Sequence, residues 1–382
     1  MPAIAWKFRT SPGGVDLTSQ VMSFSRMRGK QNWLEPYGPK DLTITIRNDN
    51  NQAASWPIAQ AIEIYFGANV DDQIFWVDQI EFNDAPGTTA TAGSGAGSTA
   101  TIILRDWLGR GGQMKENPTL SSAACFQQIR NGFTTAGGTI GADMGYDTTY
   151  NGTNIAAAST TSTNVTTRLV QNVATDKYLG QIYLNGNLLM MRPGNLAPTP
   201  ANLITLKPSK GVSTGDRFLV YDNCRRITAG PNFCNAATVS YPGGSQSVTN
   251  AASIAIYSTR LISFSTVDNV GASASDKGRW LIKQGLDPAA LSFEVTFTDV
   301  MQTNNVLTNL LTDYATISNV AIEYVVPGSG VTKTEYVTIE GISYSADPGK
   351  TSFTMYLSNL NLYSPFTLDS VVCGYLDQNY LA

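Results

Sequence analysis

From Leu42 to Ile46 the chain alternates apolar and polar residues, Leu-Thr-Ile-Thr-Ile, and then stops at Asn48-Asp49-Asn50-Asn51. Alternation of period two gives an extended strand one apolar face, whereas a helix needs apolar residues three and four apart. The pattern continues at residues 62–66 and 74–82, and further strand candidates lie at 102–104, 180–184, 188–191, 218–221, 238–241, 254–257, 292–297, 320–326, 336–344 and 352–357. Each run is short and ends near turn residues, so the spacing predicts a chain built mostly of strands. With 382 residues, 42% of them hydrophobic, the chain can bury a sizeable core in two or three domains.

Three segments read as helices. Between Thr119 and Phe133, Leu120, Ala124, Ile129 and Phe133 fall near one face. Asn164 is placed to cap a helix carrying Val165, Leu169 and Val173 at spacing four. Asp276 is placed to cap another, through Trp280 and Leu281 to Gly285. Asn185-Gly186 predicts a two-residue hairpin, because both residues tolerate positive φ. Residues 85–100, rich in Gly, Thr, Ala and Ser, read as a long hairpin tip, since a strand resumes at Ile102-Ile103-Leu104. Asp71-Asp72 reads as a tighter turn between two strands.

Two hexads share a pattern: Val77-Asp78-Gln79-Ile80-Glu81-Phe82 and Ile339-Glu340-Gly341-Ile342-Ser343-Tyr344. Each runs β-branched, acid, any, Ile, any, aromatic. Two amphipathic strands can agree over six positions by chance. Read as a repeat, the hexads predict two small β-barrels of related pattern, one near each terminus. The expected fold class is mainly β with an α+β middle. The expected units are a barrel-like domain at 1–112, a helix-containing region at 113–285, and a barrel-like domain with a C-terminal tail at 286–382.

Composition removes many chemistries. The chain has no histidine, which excludes Ser-His-Asp and Cys-His catalysis and histidine-bound metals. Its four cysteines form no CxxC. Cys224 and Cys234 flank Gly230-Pro231 and could meet across a loop, but spacing does not establish proximity and free thiols are the commoner outcome. Charged residues are only 14%, with a net charge of −4 and no basic run, so tight binding to phosphate backbones is not expected. Gly109-Arg110-Gly111-Gly112 lacks the ending of a phosphate loop, and Arg225-Arg226 is too short for a basic stripe. Asp71, Asp72 and Asp78 could bind a cation or do acid/base work, but Asp71-Asp72 more commonly marks a turn. Asp313, Glu323, Glu335 and Glu340 are spread along strands with no metal-loop spacing. No catalytic, cofactor or metal site is expected. Trp33, Tyr37 and Trp76 could form a sugar platform, although packing is the commoner use of such rings. The sequons at Asn151 and Asn164 read as chance. No signal peptide or 18-residue apolar run stands out, so synthesis in a cytoplasm is expected.

The chain resembles the hub-type minor tail proteins of long-tailed bacteriophages, in matches that keep their order. These are Val15-Asp16-Leu17-Thr18 with Val21; Arg28-Gly29-Lys30 and Leu34; and Leu42 to Asn48. They continue with Phe126 to Gly138; Leu169-Val170 with Tyr178 to Tyr183, Gly186, Leu189 and Arg192; and Ala236 to Val239 with Gly243-Gly244 and Ala252 to Ser258. The last is Phe366 to Ser370 with Gly374-Tyr375-Leu376-Asp377 and Leu381. The sequence departs in having Lys30 for a second Arg and Lys40 for a Gly. The resemblance implies a non-enzymatic structural protein of the virion tail tip. It implies a hub ring of identical chains, expected to be a trimer, that lines the DNA exit channel. The implied partners are the tail tube or distal tail protein, the tape-measure protein and a tail fibre or receptor-binding protein, with DNA only in transit. Leu368, Val371, Val372, Tyr375, Leu376, Tyr380 and Leu381 make the tail too apolar to stay free. It packs on a neighbour, as an assembly interface, or back on its own barrel. A glycan-binding attachment protein is the alternative function. A polysaccharide-cleaving enzyme would need two carboxylates in acid and base roles, and no pair can be assigned them.

Overall fold

The computed structural model describes residues 5–11, 14–35, 41–66, 69–84, 97–113, 119–120, 122–135, 154–155, 158–159, 164–175, 181–185, 188–192, 204–208, 217–228, 233–286, 291–302, 306–312, 319–347 and 349–359. In chain order the first strands are β1 (Trp6–Thr10), β2 (Val21–Gly29), β3 (Asp41–Arg47), β4 (Ala61–Phe66), β5 (Asn69–Asn83) and β6 (Thr99–Arg105). The middle holds α1 (Trp107–Gly111), β7 (Thr119–Leu120), β8 (Ala123–Ala124), α2 (Cys125–Thr135), β9 (Asn154–Ile155), β10 (Ala158–Ser159), α3 (Val165–Thr175), β11 (Gln181–Asn185) and β12 (Leu188–Arg192). Next come β13 (Ile204–Lys207), β14 (Phe218–Val220), β15 (Asn223–Thr228), β16 (Ala236–Tyr241), β17 (Gly244–Thr249), α4 (Ala251–Tyr257), β18 (Leu261–Ser265) and α5 (Gly271–Gly285). The chain continues through β19 (Leu291–Thr298), α6 (Val306–Thr312), β20 (Asn319–Val325), β21 (Thr332–Asp347) and β22 (Lys350–Asn359).

The protein is mostly β, and its main sheet curls into a half-barrel. Thirteen of the described strands share that sheet. Alternation explains the pairing. Leu42, Ile44 and Ile46 of β3 stand opposite Leu104, Ile102 and Ala100 of β6, and all six are buried. Phe293, Val295 and Phe297 of β19 face Leu357, Met355 and Phe353 of β22 in the same way. Each such Leu, Ile or Phe contributes about 1.5–3 kcal/mol of burial.

Two halves of this sheet have matching strand orders. One runs β4-β5-β6-β3-β2 and the other β20-β21-β22-β19-β15, with every neighbouring pair antiparallel. The two hexads occupy equivalent places in β5 and β21. In each, the register against the next strand slips at the acid: Asp78 is the extra residue opposite β6, and Glu340 the extra residue opposite β22. The outer flanks differ, because β1 lies antiparallel to β4 whereas β13 runs parallel to β20. The halves join where β2 pairs with β21, and one apolar core draws on both.

Beside the main sheet, β17-β16-β18 form a small sheet, with Trp33, Val239, Ala274 and Leu281 buried between it and α5. Among the helices, α3 starts where expected: Asn164 Oδ1 accepts the Thr167 N–H at 2.7 Å. Several expectations are corrected. Residues 254–257 belong to helix α4, where Asn250 Oδ1 accepts the Ser253 N–H at 3.0 Å. Helix α5 begins at Gly271, so Asp276 lies inside it, 3.5 Å from Arg279. Helix α2 begins at Cys125, after two short strands. Asp71-Asp72 lies within β5, and the Phe66↔Asn69 pair puts the reversal before it. Thr99 and Ala100, read as hairpin tip, are already in β6. Gly109 to Gly111 are helical in α1, capped by Asp106, whose Oδ1 accepts the Gly109 N–H at 2.9 Å.

Candidate functional site

Two of the sequence motifs meet at the junction of the half-sheets. Arg28-Gly29-Lys30 closes β2, and the second hexad lies in β21. Gly29 pairs with Gly341, Arg28 with Ile342, Arg26 with Tyr344 and Phe24 with Ala346. The backbones come so close that a Cβ on Gly341 would stand 2.5 Å from the carbonyl oxygens of Arg28 and Lys30. Only glycine allows that approach.

The end of the junction is charged and dry. The Lys30 N–H donates to the Glu340 carbonyl at 3.0 Å. Lys30 Nζ lies 3.4 Å from Glu340 Oε2, with side-chain exposures of 3% and 0%, and donates to the Trp33 carbonyl at 2.9 Å. Removing either partner would take from the other its ion pair in the dry interior. Arg28 Nη1 donates to the Leu311 carbonyl in α6 at 3.0 Å. Arg26 Nη1 donates to Tyr344 Oη at 2.8 Å, and its guanidinium lies 4.5 Å from the Phe75 ring centre. Trp6 stacks on Tyr344 and meets Phe24 and Phe66 edge-on. The arrangement holds two strands in register and shuts its carboxylate away from solvent.

The equivalent acid of the first hexad has a wetter setting. Asp78 Oδ2 lies 2.9 Å from Arg105 Nε, and the Gln113 amide donates to Asp78 at 3.3 Å. Arg225 reaches Glu294 at 3.2 Å, and Arg226 lies over the Tyr324 ring at 4.6 Å, so both arginines serve the β15 edge. Trp33 is buried edge-on to Trp280, while Trp76 sits on β5 beneath Arg110. Cys125, Cys224 and Cys234 are free thiols. Burial pushes the Cys234 thiol up to about 11 and the Tyr221 hydroxyl up to about 12.

The chain superposes on the solved tail protein of Neisseria meningitidis MC58 with a TM-score of 0.60 and 10% identity, over 95% of this chain and 98% of that one. The 43 kDa tail protein of prophage MuSo2 from Shewanella oneidensis also gives 0.60, at 12% identity, over 94% and 99%. This is the fold of phage tail proteins. The prophage tail protein gp18 of Listeria monocytogenes EGD-e has it too, with a TM-score of 0.52, 13% identity and coverage of 93% and 94%. No family model matches the sequence, and no curated protein matches it. The resemblance read from the residues therefore stands at the level of the tail-protein fold.

Within that fold, Leu368, Val371, Val372, Tyr375, Leu376, Tyr380 and Leu381 lie outside the described residues, as do Tyr37, Asn151 and Asp313. Sequence reasoning picked out Arg28-Gly29-Lys30 and Glu340 separately and did not bring them together. It missed Arg26, Trp6 and the role of Gly341. A carboxylate in the buried phase of a strand was the one available signal, and Glu340 carries it.

Proposed function

We propose that this chain is a structural protein of a phage tail tip, not an enzyme, and that it closes into a hub ring around the tail axis. The supporting observation is the fold shared with a tail protein over nearly the whole length of both chains. The two half-sheets act, in this reading, as two barrel-like units within the division 1–112, 113–285 and 286–382, with β13–β15 reaching into the C-terminal unit's sheet. Three chains then offer six similar positions to a six-fold tube. A closed ring needs a heterologous contact, in which two different surfaces of one chain meet on its neighbour. The apolar tail from Leu368 to Leu381 belongs to that contact. The partners are the tail tube or distal tail protein above, the tape-measure protein, and a fibre or receptor-binding protein below. DNA passes through a neutral or acidic lumen, because a basic one would hold phosphates. The chain works in the virion tail tip after synthesis in the host cytoplasm. The glycan-binding alternative gains nothing from Trp33, which is buried.

The test is the mass of the purified full chain by light scattering, with electron microscopy of the particles. A closed three-fold ring is expected, and truncation after Tyr363 should leave a folded chain that no longer assembles. A chain that stays monomeric both in concentrated solution and in tail tips overturns the reading.

A further inference from the structure

One edge of β21 is shared by two strands. β20 pairs with its first part, at residues 332–338, and β2 with its second, at residues 341–346, while β22 runs along the other edge. The equivalent edge of β5 is only half filled. β4 pairs with it as far as Trp76, and Val77 bonds to Ala59 and Gln60. From Gln79 to Asp84 no described strand pairs with that edge. The β11–β12 hairpin comes near β5 but pairs only with itself. Phe82 holds the place of Tyr344, yet is 56% exposed where Tyr344 is 2% exposed. Gln79, Glu81, Asn83 and Asp84 are exposed as well.

A strand fit to fill this slot stands in the other half. β2 flanks β3 in the first half as β15 flanks β19 in the second. Arg26 sits opposite Leu42, and Arg226 sits opposite Phe293. Each guanidinium lies over a ring of its own half, Phe75 or Tyr324. The second edge of β2 is used, by β21. Among the described strands, the second edge of β15 has no partner, and Asn223, Arg225, Arg226 and Thr228 are exposed. Arg226 does not bar pairing, since Arg26 occupies the same place inside the existing junction.

We infer that β15 of one chain pairs antiparallel with the second part of β5 in the next chain, repeating between chains the β2–β21 junction found within each. The inference rests on the ring reading above and names its contact. The internal register carries over: Cys224 faces Asp84, Arg225 faces Asn83, Arg226 faces Phe82, Ile227 faces Glu81 and Thr228 faces Ile80. Pairing stops there, because Gln79 stands where Gly341 allows its close approach. Arg226 takes Phe82 as a cation–π partner. Two arginines on one edge meet Glu81 and Asp84 on the other, the complementarity that steers and orients association. An exposed edge strand is a ready template for another chain, and here the matching edge is supplied by a second copy.

The test uses one substitution in the full chain. In Asp84→Cys the new thiol faces Cys224 of the neighbour, at the separation of directly opposed strand residues, about 4.5–5.5 Å between Cβ atoms. Mild oxidation with copper phenanthroline removes two electrons and two protons from the thiol pair and forms the disulfide. Covalent dimers and higher ladders are expected on non-reducing gels, and adding Cys224→Ser should abolish them. Asn83→Cys, which points to the other face of β5, should give none. Rings that form normally while Asp84→Cys yields no ladder overturn the pairing and leave the ring reading intact. No assembly at any concentration overturns both. As a second readout, Phe82→Ala should weaken assembly at least tenfold with an unchanged melting temperature; unchanged assembly counts against the pairing.

Discussion

The two half-sheets repeat one strand order, yet their longest strands meet different fates. In β21 the open half of an edge is covered by β2 of the same chain, and in β5 it faces solvent. The residues follow that difference place by place. Gly341 permits backbone contact where Gln79 carries a long side chain. Glu340 is sealed with Lys30, whereas Asp78 and Arg105 keep 25% and 39% of their side chains exposed. Tyr344 is covered and Phe82 is bare. A permanent contact tolerates a buried charge pair because neither partner ever has to be rehydrated. A surface exposed before assembly is better served by groups that are stable in water.

The two halves should differ most at their two acids. Lys30→Met removes the ammonium that faces Glu340 in the interior and should cost about 3–5 kcal/mol. Asp78→Asn, at the equivalent place, should cost at most about 1 kcal/mol, because that pair keeps part of its contact with water. Urea unfolding of both variants measures the gap. The double variant Lys30→Met with Glu340→Leu should recover much of the loss, since an apolar pair can replace a buried ionic one. Equal losses at the two sites would mean that the halves are held alike.

The next largest effect separates Gly341 from Gln79. Gly341→Ala forces its methyl group to 2.5 Å from two carbonyl oxygens, so strands must move. About 1–3 kcal/mol is expected, the usual range for overpacking. Gln79→Ala removes an exposed side chain and should stay within about 0.5 kcal/mol. Thermal unfolding distinguishes them, and a tolerated Gly341→Ala would show that the junction is looser than its geometry.

These contrasts mark where the sequence was legible. Strands with strict alternation, such as Leu42 to Ile46, could be placed and given a buried face without any partner in view. Residues 254–257 could not, because four apolar-rich positions fit a strand or one helical turn, and the deciding feature is the Asn250 cap just before them. Helix α6 was passed over, although Leu307, Leu310 and Leu311 have helical spacing, because it is only seven residues long and buried. The hexads were visible as a pattern. That both acids are bulged was not, since a bulge exists only relative to the neighbouring strand. The meeting of Lys30 with Glu340 was out of reach for the same reason: pairing between the ends of a chain leaves no mark in either segment alone. The tail-protein resemblance survived as fold because ordered motifs track topology.

The smallest expected effect concerns the outer flank, where β1 runs antiparallel to its neighbour and β13 runs parallel. The first half secures β1 with the Val15–Thr18 segment. Leu17 is buried in the core, and its N–H donates to the Phe8 carbonyl at 2.8 Å. Thr18 Oγ1 accepts the Phe8 N–H at 3.0 Å, and Asp16 Oδ1 accepts the Thr18 N–H at 2.9 Å. The Thr18 hydroxyl, then its N–H, hold the Asp16 carboxyl below its ordinary value, helped by Arg9 and Lys7 and opposed by slight burial. A carboxyl depressed in the folded state adds stability above its unfolded value, about 3.9, and that stability is lost as pH falls through the folded value. Asp16→Asn should therefore lower the urea midpoint at pH 7 and have progressively less effect below about pH 4. The carboxylate is almost fully solvated, so the difference at pH 7 should be under about 1 kcal/mol. Urea titrations of both proteins at pH 7 and pH 3 measure it. An equal loss at the two pH values would show that the asparagine disturbs the turn itself, and that the flank of the first half is held by shape and not by this charge.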